Sequence, residues 1–346
     1  MKRTPEVYTK LADHPIETGE GEMPLLDRFP ALRELPRVRL CDLPSPIEKL
    51  PAFAGTSGGE MWIKRDDLNS AVCGGNKVRA LEFLLGGVKR GDTILTVGGA
   101  GSTHVLSTAV HAARLGARVA ALRWTHDMNP VAEIVSSRIG SIIPGSSVGR
   151  STLLALARAR LRTVTSDVLY IPLGGSSSLG VIGHVNAALE LAGQIARGAA
   201  PMPQTVVLPL GSGGSAAGLV LGFAIAGIDV VVVGARVGPR MFVNQRRVLR
   251  LARQTSRFIA RITGEDLPGI DSRRLRIAHT VYGGAYGRPL GGAAEAAEML
   301  RGATGIQLDA TYSAKAFVAA LGEARTARGG GPTLFWLTFD ARCLTN

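Results

Sequence analysis

The sequence is poor in the residues that build disulfide scaffolds, zinc sites and stacking platforms. Its 346 residues include three cysteines, at positions 41, 73 and 343, which are too few and too dispersed for a disulfide framework or a cysteine-rich zinc site. Aromatic residues make up 5% of the chain, and seven of its 40 cationic residues are lysine. Such an arginine bias often reflects a GC-rich genome rather than a binding surface.

Long apolar runs are also scarce. The amino-terminal residues are polar and charged, so no secretory signal is predicted and we expect a cytoplasmic protein. One run of 24 residues without a charge spans 205–228, but it holds six glycines and Pro209. That composition predicts a strand, a glycine loop and a buried helix rather than a membrane span.

The formal net charge is +13, and the densest basic stretch runs from Arg240 to Arg261. Its arginines recur every three to four residues, which predicts a helix with one basic face. The pattern leaves open whether this face is only solvated or meets an anionic ligand or partner. Because stacking aromatics are scarce there, single-stranded nucleic acid is not the expected partner.

Strand and helix patterns alternate along most of the chain after an irregular arm at 1–58. The predicted strands are 61–64, 93–97, 118–122, 168–172, 205–210, 229–235 and 334–337. The predicted helices are 76–89, 103–115, one that begins at 129–130, 179–197 and 215–226. This alternation predicts an α/β fold with parallel sheets flanked by helices, and functional residues at the carboxyl ends of the strands. The length suggests about two domains.

Two of the loops after predicted strands carry candidate catalytic residues. The first is Gly-Gly-Asn-Lys at 74–77, where Lys77 opens a helix. A lysine there is either solvated or an amine of lowered pKa, as Schiff-base chemistry requires. In the second loop, at 98–104, Ser102 either caps the following helix or carries a proton.

A third loop and a group of late hydroxyl side chains complete the candidates. Residues 211–218 read Gly-Ser-Gly-Gly-Ser-Ala-Ala-Gly and open a helix, which is typical of an anion site built from backbone N–H groups. The late hydroxyls are those of Tyr282, Tyr286, Tyr312 and Thr338. A helix-start lysine, a phosphate site and late hydroxyls together suggest pyridoxal phosphate, whose aldehyde needs an amine and whose ring nitrogen needs a partner.

The chain resembles the D-cysteine desulfhydrase/1-aminocyclopropane-1-carboxylate deaminase family. These are pyridoxal-phosphate enzymes of the tryptophan synthase β-like fold, fold type II. The resemblance extends from about Phe29 to Thr338 and includes Lys-Arg-Asp-Asp-Leu at 64–68 and Gly-Gly-Asn-Lys at 74–77. It continues in Gly-Gly-Ser at 174–176, the loop at 211, Tyr-Gly-Arg-Pro at 286–289 and the motif at 308–315.

The resemblance implies a role for each matched residue. Lys77, preceded by Asn76, would bind the cofactor as a Schiff base. Ser102 would lie near the substrate carboxylate and α-carbon, and Tyr286 and Tyr312 would be active-site tyrosines. The cofactor phosphate would be held by Gly211, Ser212, Gly213, Gly214 and Ser215, the ring nitrogen by Thr338 or Ser313, and the ring oxygen would face Thr103. No metal ion is expected.

The resemblance also implies two domains and a homodimer. Residues 1–80 and 174–346 would form a larger cofactor-binding domain with the arm, and residues 81–173 a smaller α/β domain. The chain departs from the family at five positions around the cofactor: Ala80 replaces a lysine, Thr103 an asparagine, Phe339 and Asp340 two glycines, and Ser313 the acidic residue of deaminases. These departures point to a changed substrate or a different reaction on the same cofactor.

We therefore expect a pyridoxal-phosphate-dependent lyase or deaminase that acts on a small amino acid other than D-cysteine. A hydroxyl partner leaves the ring nitrogen largely unprotonated, which favours prompt β-elimination to a 2-oxo acid and ammonia. β- or γ-replacement and racemisation in a specialised biosynthetic pathway remain alternatives. A non-catalytic protein that binds an anion or nucleic acid is a further alternative, against which Lys77 and the phosphate loop weigh.

Overall fold

The computed structural model describes residues 21–53, 59–144, 146–165, 168–327 and 330–344. Within these residues the strands form two sheets, one of six strands and one of four. Residues 1–20 and 54–58 of the predicted arm lie outside the described part. The remainder of the arm is not wholly irregular, because it contributes a short helix and the first strand of the larger sheet.

The larger sheet has the strand order β1-β2-β10-β7-β8-β9. Its neighbours are parallel except for the antiparallel pair of β1 and β2. The predicted strand at 229–235 begins two residues later, at Val231, and β1 and β9 were not predicted. The strands are β1 Ile47–Lys49, β2 Met61–Arg65, β7 Thr205–Leu210, β8 Val231–Arg236, β9 Leu275–Ala278 and β10 Thr333–Leu337.

The smaller sheet has the order β5-β4-β3-β6, and all its strand pairs are parallel. The strands are β3 Thr93–Gly99, β4 Arg118–Trp124, β5 Ser147–Gly149 and β6 Leu169–Ile171. All four fall inside the predicted smaller domain, residues 81–173, whose boundaries stay a prediction.

The helices cover both sheets, and several begin with a side-chain cap. The helices are α1 Pro24–Arg28, α2 Asn76–Leu84, α3 Thr103–Arg114, α4 Pro130–Ile142, α5 Thr152–Thr165, α6 Ser178–Ala196, α7 Gly214–Ala226, α8 Gln245–Thr263, α9 Ala293–Thr304 and α10 Ser313–Thr326. The prediction that α2 reaches Lys89 was wrong. The chain turns at Gly86 instead, where a Cβ would lie 2.1 Å from the Pro36 carbonyl oxygen, so close packing against the arm stops the helix.

Alternate residues of the larger sheet enter two different cores. Val206 and Leu208 pack with the buried faces of α6 and α7, whereas Val207 and Phe335 pack with α10 on the opposite side. This is the period-two pattern of a sheet that is covered on both faces. The predicted α/β architecture with helices on both sides of parallel sheets is therefore confirmed. In the described ranges, no helix is both long and apolar enough to cross a membrane.

A buried cluster of charges joins β2, α2 and α6. The Arg79 guanidinium lies 2.7 Å from Asp66 Oδ1 and 2.9 Å from Glu190 Oε2. The Lys64 ammonium donates to Glu190 Oε1 as well. All four side chains are at most 1% exposed, so each charge depends on its partners for the stabilisation that water would otherwise supply.

Candidate active site

A cavity of about 630 Å³ opens at the carboxyl ends of strands from both sheets. Gly99 of β3, Thr125 after β4, the loop after β7 and Thr338 after β10 all line it, as expected for parallel sheets. The predicted site residues that line the same cavity are Asn76, Lys77, Ser102, Thr103, Gly211, Ser212, Gly213, Gly214, Ser215, Tyr286, Tyr312 and Thr338. Ser313 is the one predicted site residue that does not.

Two glycines give the loop before Lys77 its shape. Gly75 has a φ of 119°, and a Cβ there would lie 2.6 Å from the Thr338 carbonyl oxygen. A Cβ on Gly74 would lie 2.3 Å from the Asp67 carbonyl oxygen. Larger residues are therefore excluded at both positions. The Asn76 N–H donates to the Thr338 carbonyl oxygen at 3.0 Å, so the lysine is held against the end of β10.

Two of the departures from the family pattern support this loop. Phe339 forms an isolated antiparallel bridge with Gly75 and lines the cavity. Asp340 is 2% exposed and accepts a hydrogen bond of 3.1 Å from the Gly74 N–H. The Arg342 guanidinium donates to the same carboxylate at 2.8 Å. Asp340 therefore acts on the backbone of the lysine loop, and it is not among the residues that line the cavity.

The Lys77 amine is suited to act as a nucleophile or base. It lies 3.5 Å from the Gly174 carbonyl oxygen, and burial lowers its pKa to about 8. Much more of the amine is neutral near pH 7 than for an exposed lysine. Burial and the nearby Lys77 charge lower the pKa of His104 to about 3, so this imidazole stays neutral beside the lysine.

The loop after β7 has the form of an anion cradle. Gly213 is left-handed and caps α7 without a side chain, and the first intrahelical bond of α7 runs from Ala217 N–H to the Gly213 carbonyl oxygen. The N–H groups of Gly214, Ser215 and Ala216 precede that bond, and all three residues line the cavity. A Cβ on Gly214 would lie 2.8 Å from Ser176 Oγ, so the cradle has no room for a side chain there.

Direct hydrogen bonds connect the lysine loop with this cradle. Asn76 Nδ2 donates to Ser215 Oγ at 2.7 Å. A second hydrogen bond connects the cradle with the loop after β6, where the hydroxyl of Ser176 donates to that of Ser212 at 2.8 Å. The amine and the anion cradle are thus fixed relative to each other, which is what a cofactor with an aldehyde and a phosphate on one ring requires.

Ser102 and Thr103 begin α3 at the opposite wall of the cavity. Ser102 Oγ accepts a hydrogen bond of 3.4 Å from the Val105 N–H, so this serine both caps the helix and lines the cavity. Thr103 hydrogen-bonds with Tyr312, which partly opposes the increase in the tyrosine pKa that burial and Tyr286 cause.

Two tyrosines form a hydrogen-bonded pair in the cavity wall. The phenol oxygens of Tyr286 and Tyr312 are in direct contact. Burial raises the pKa of Tyr286 to about 12 and that of Tyr312 well above its usual value. Both phenols are therefore protonated near neutral pH and can donate a hydrogen bond or a proton.

His126 is a site residue that the sequence interpretation missed. Its ring packs edge-on against Tyr286 with centroids 4.6 Å apart, and its Nε2 accepts a hydrogen bond of 3.2 Å from the Gly101 N–H. The residue lies in the loop after β4, so applying the rule of functional strand ends to that strand would have found it.

The structure separates the two candidate partners of a ring nitrogen. Thr338 lines the cavity. Ser313 is fully buried outside it, at the start of α10, and its N–H donates to Asp309 Oδ2 at 3.0 Å. Ser313 is not among the residues that line the cavity, and its contact with the cofactor ring stays a prediction.

The arrangement fits pyridoxal phosphate. The cavity offers an amine of lowered pKa, a glycine cradle that a Cβ would fill, and a hydroxyl at the end of β10. Within the described part of the chain, no group of three or more His, Cys, Asp or Glu side chains could hold a metal ion.

Comparison with known proteins agrees with this chemistry. Residues 38–338 match the family model described as pyridoxal-phosphate dependent enzyme. The chain therefore belongs to the pyridoxal-phosphate-dependent enzymes, and its cofactor is pyridoxal phosphate. The architecture is that of fold type II.

Three known proteins are similar to this chain over most of its length. The chain is 37% identical over 327 residues to nocardicin C-9′ epimerase of Nocardia uniformis subsp. tsuyamanensis, covering 89% of this chain and 94% of that protein. It is 31% identical over 330 residues to D-cysteine desulfhydrase of Salmonella choleraesuis, covering 90% and 96%. A solved homologue of 1-aminocyclopropane-1-carboxylate deaminase superimposes with a TM-score of 0.71 at 27% identity, covering 92% and 95%. The expected class, a pyridoxal-phosphate-dependent enzyme, is confirmed.

Proposed function

We propose that this enzyme removes the α-proton of a small amino acid and eliminates a group from its β-carbon, and that water then hydrolyses the released enamine to a 2-oxo acid and ammonia. The observation that carries the proposal is the Lys77 amine, whose pKa burial lowers to about 8, in one cavity with the tyrosine pair. The bound cofactor supplies an electron sink that makes the α-proton acidic.

Lys77 would both attach the cofactor and act as the base at the α-carbon. Ser102 and the adjacent backbone at the start of α3 would bind the substrate carboxylate, because a helix amino terminus attracts anions. The glycine cradle would hold the phosphate through the N–H groups of Gly214, Ser215 and Ala216. Thr338 would be the hydrogen-bond partner of the ring nitrogen.

The tyrosine pair would protonate the departing β-group. With Tyr286 raised to a pKa of about 12, the phenols hold their protons until a more basic leaving atom accepts one. Thr103 would orient this pair through Tyr312. Thr103 would then contact the general acid, Tyr312. The family resemblance predicts a second contact for Thr103, with the ring oxygen of the cofactor.

Epimerisation at the α-carbon is a second candidate, and a specific observation favours it. The relative with 37% identity is named an epimerase, whereas the desulfhydrase shares 31%. Inversion needs an acid and a base on opposite faces of the α-carbon. Lys77 and Tyr312 provide one group of each kind in the same cavity.

One experiment separates the two reactions. The enzyme is incubated in D₂O with panels of D- and L-amino acids that carry or lack a β-leaving group. Elimination predicts 2-oxo acid and ammonia from the substrates with a leaving group. Deuterium at the α-carbon together with inversion, without ammonia, would show the epimerase instead. If the cofactor-loaded enzyme forms neither product from any of these amino acids, both proposed reactions are contradicted.

We further propose that the enzyme is a cytoplasmic homodimer in which each protomer has the predicted larger and smaller domains. The dimer is supported by two exposed apolar side chains seven positions apart on α5, Leu154 and Leu161. Such side chains are typical of an interface when they lie together. Light scattering should give twice the chain mass of 36.2 kDa, and a monomer would contradict the proposal.

A further inference from the structure

The cavity holds few side chains with a lasting charge. Burial lowers the pKa of His104 to about 3 and also lowers that of His126, so both are neutral near pH 7. Asp127 is paired with Arg288 at 2.9 Å. Burial also lowers the pKa of Lys77 to about 8, so Arg247 is the one described lining residue with a permanent positive charge.

Arg247 belongs to a segment that packs against the glycine cradle. A Cβ on Gly213 would lie 3.2 Å from Val248 Cγ2. Arg247 directly precedes Val248 in the first turn of α8. The Asn244 side chain accepts a hydrogen bond of 2.9 Å from the Arg247 N–H, which fixes this turn beside the cradle.

The cradle itself carries no cation. Residues 211–216 are glycine, serine and alanine, so they offer an anion only N–H dipoles and hydroxyl groups. Ala80 stands where the family has a lysine, and it is buried. In the described part of the chain, no ion pair with a carboxylate occupies the Arg247 guanidinium. A phosphate dianion in the cradle would thus meet one available fixed charge.

We propose that Arg247 is a cofactor-binding residue that closes over the outer side of the phosphate. The inference rests on the proposed position of the phosphate between Gly211 and Ser215. A guanidinium presents its N–H groups in a planar fork that matches phosphate oxygens. Because the Arg247 side chain is exposed, the attraction is partly screened and depends on ionic strength.

The test measures cofactor binding rather than activity. Apoprotein is titrated with pyridoxal phosphate and, separately, with pyridoxal, which has the aldehyde but no phosphate. The variants are Arg247→Gln, the conservative Arg247→Lys, and the control Arg250→Gln. Arg250 is exposed on the next turn of α8 and is not among the lining residues.

Arg247→Gln should weaken pyridoxal phosphate binding roughly five-fold at low salt, as expected for a partly exposed charge pair. The difference should close at high salt, and Arg247→Lys should recover part of it. Binding of pyridoxal should not change, nor should Arg250→Gln have an effect. Equal loss for both ligands, or equal loss in Arg247→Gln and Arg250→Gln, would overturn the proposal.

A further variant shows which assignment is at fault if Arg247→Gln has no effect. Gly214→Asp places a carboxylate in the cradle itself. If Gly214→Asp expels the cofactor while Arg247→Gln binds it normally, the phosphate position stands and the role of Arg247 is refuted. If Gly214→Asp also binds it normally, the proposed phosphate site fails as well.

Discussion

Replacing Glu190 by glutamine should destabilise the enzyme strongly without touching the cavity. Glu190 is fully buried on α6 and accepts hydrogen bonds from both Lys64 and Arg79. The glutamine keeps the shape but removes one of two negative charges that face two positive ones. Because one positive charge then lacks a partner in the interior, the cost should be large.

The magnitude follows from the Glu190 carboxyl group. Its buried cationic neighbours hold its pKa at about 2, against 4.5 in the absence of these effects. Each unit corresponds to about 1.4 kcal/mol, so ionised Glu190 contributes about 3 kcal/mol near neutral pH. Burial lowers the pKa of Lys64, so deprotonation of Lys64 in the variant limits the loss. We expect about 3 kcal/mol in the free energy of unfolding.

The contribution of Glu190 to the free energy of unfolding should decrease as the pH falls. Because the folded-state pKa of Glu190 is depressed, its contribution is complete above about pH 5 and is lost as the pH falls towards 2. The difference between wild type and Glu190→Gln should shrink to about half or less by pH 3. Urea unfolding of both proteins between pH 3 and pH 8 measures this difference.

A matched control is Glu298→Gln, which removes an exposed carboxylate paired with Arg301. It should leave the unfolding midpoint unchanged, because exposed ion pairs contribute little. If Glu190→Gln resembles this control, or if its deficit stays constant down to pH 3, the buried charge cluster does not stabilise the fold as described.

Two further predictions concern the cofactor site. Gly214→Asp should abolish pyridoxal phosphate binding while the circular dichroism spectrum stays native, because its carboxylate would face the phosphate and its Cβ would meet Ser176 Oγ at 2.8 Å; normal occupancy would contradict the cradle assignment. Thr103→Asn should tighten cofactor binding by tenfold at most, since a neutral hydrogen bond contributes about 0.5–1.5 kcal/mol. Weaker binding in an apoprotein titration would show that Thr103 acts chiefly on Tyr312.

Local sequence signals predicted the features that depend on neighbouring residues. The strand and helix alternation, the lysine at the start of α2 and the glycine loop before α7 are all local patterns, and the structure shows the elements where they were expected. The cap at Ser102 is likewise local, because it joins residues three apart. These signals sufficed for the fold class and for most of the cavity wall.

Features that depend on distant parts of the chain escaped prediction. Asp340 accepts its hydrogen bond from Gly74 across 266 positions, and no local pattern reveals such a contact. The end of α2 at Leu84 depends on the arm that passes Gly86. Ser313 and Thr338 were equivalent candidates in the sequence, but only Thr338 lines the cavity in the structure, because the position of Ser313 depends on how α10 packs.

The central claim is that Lys77 carries the cofactor, and reduction followed by peptide mapping tests it most directly. Purified enzyme loaded with pyridoxal phosphate is treated with borohydride, digested and analysed by mass spectrometry. The pyridoxyl group should be found on Lys77, and Lys77→Ala should remove both the label and the visible absorption band. A label on Lys64 or Lys315 in the wild type, with Lys77 unmodified, would contradict the account.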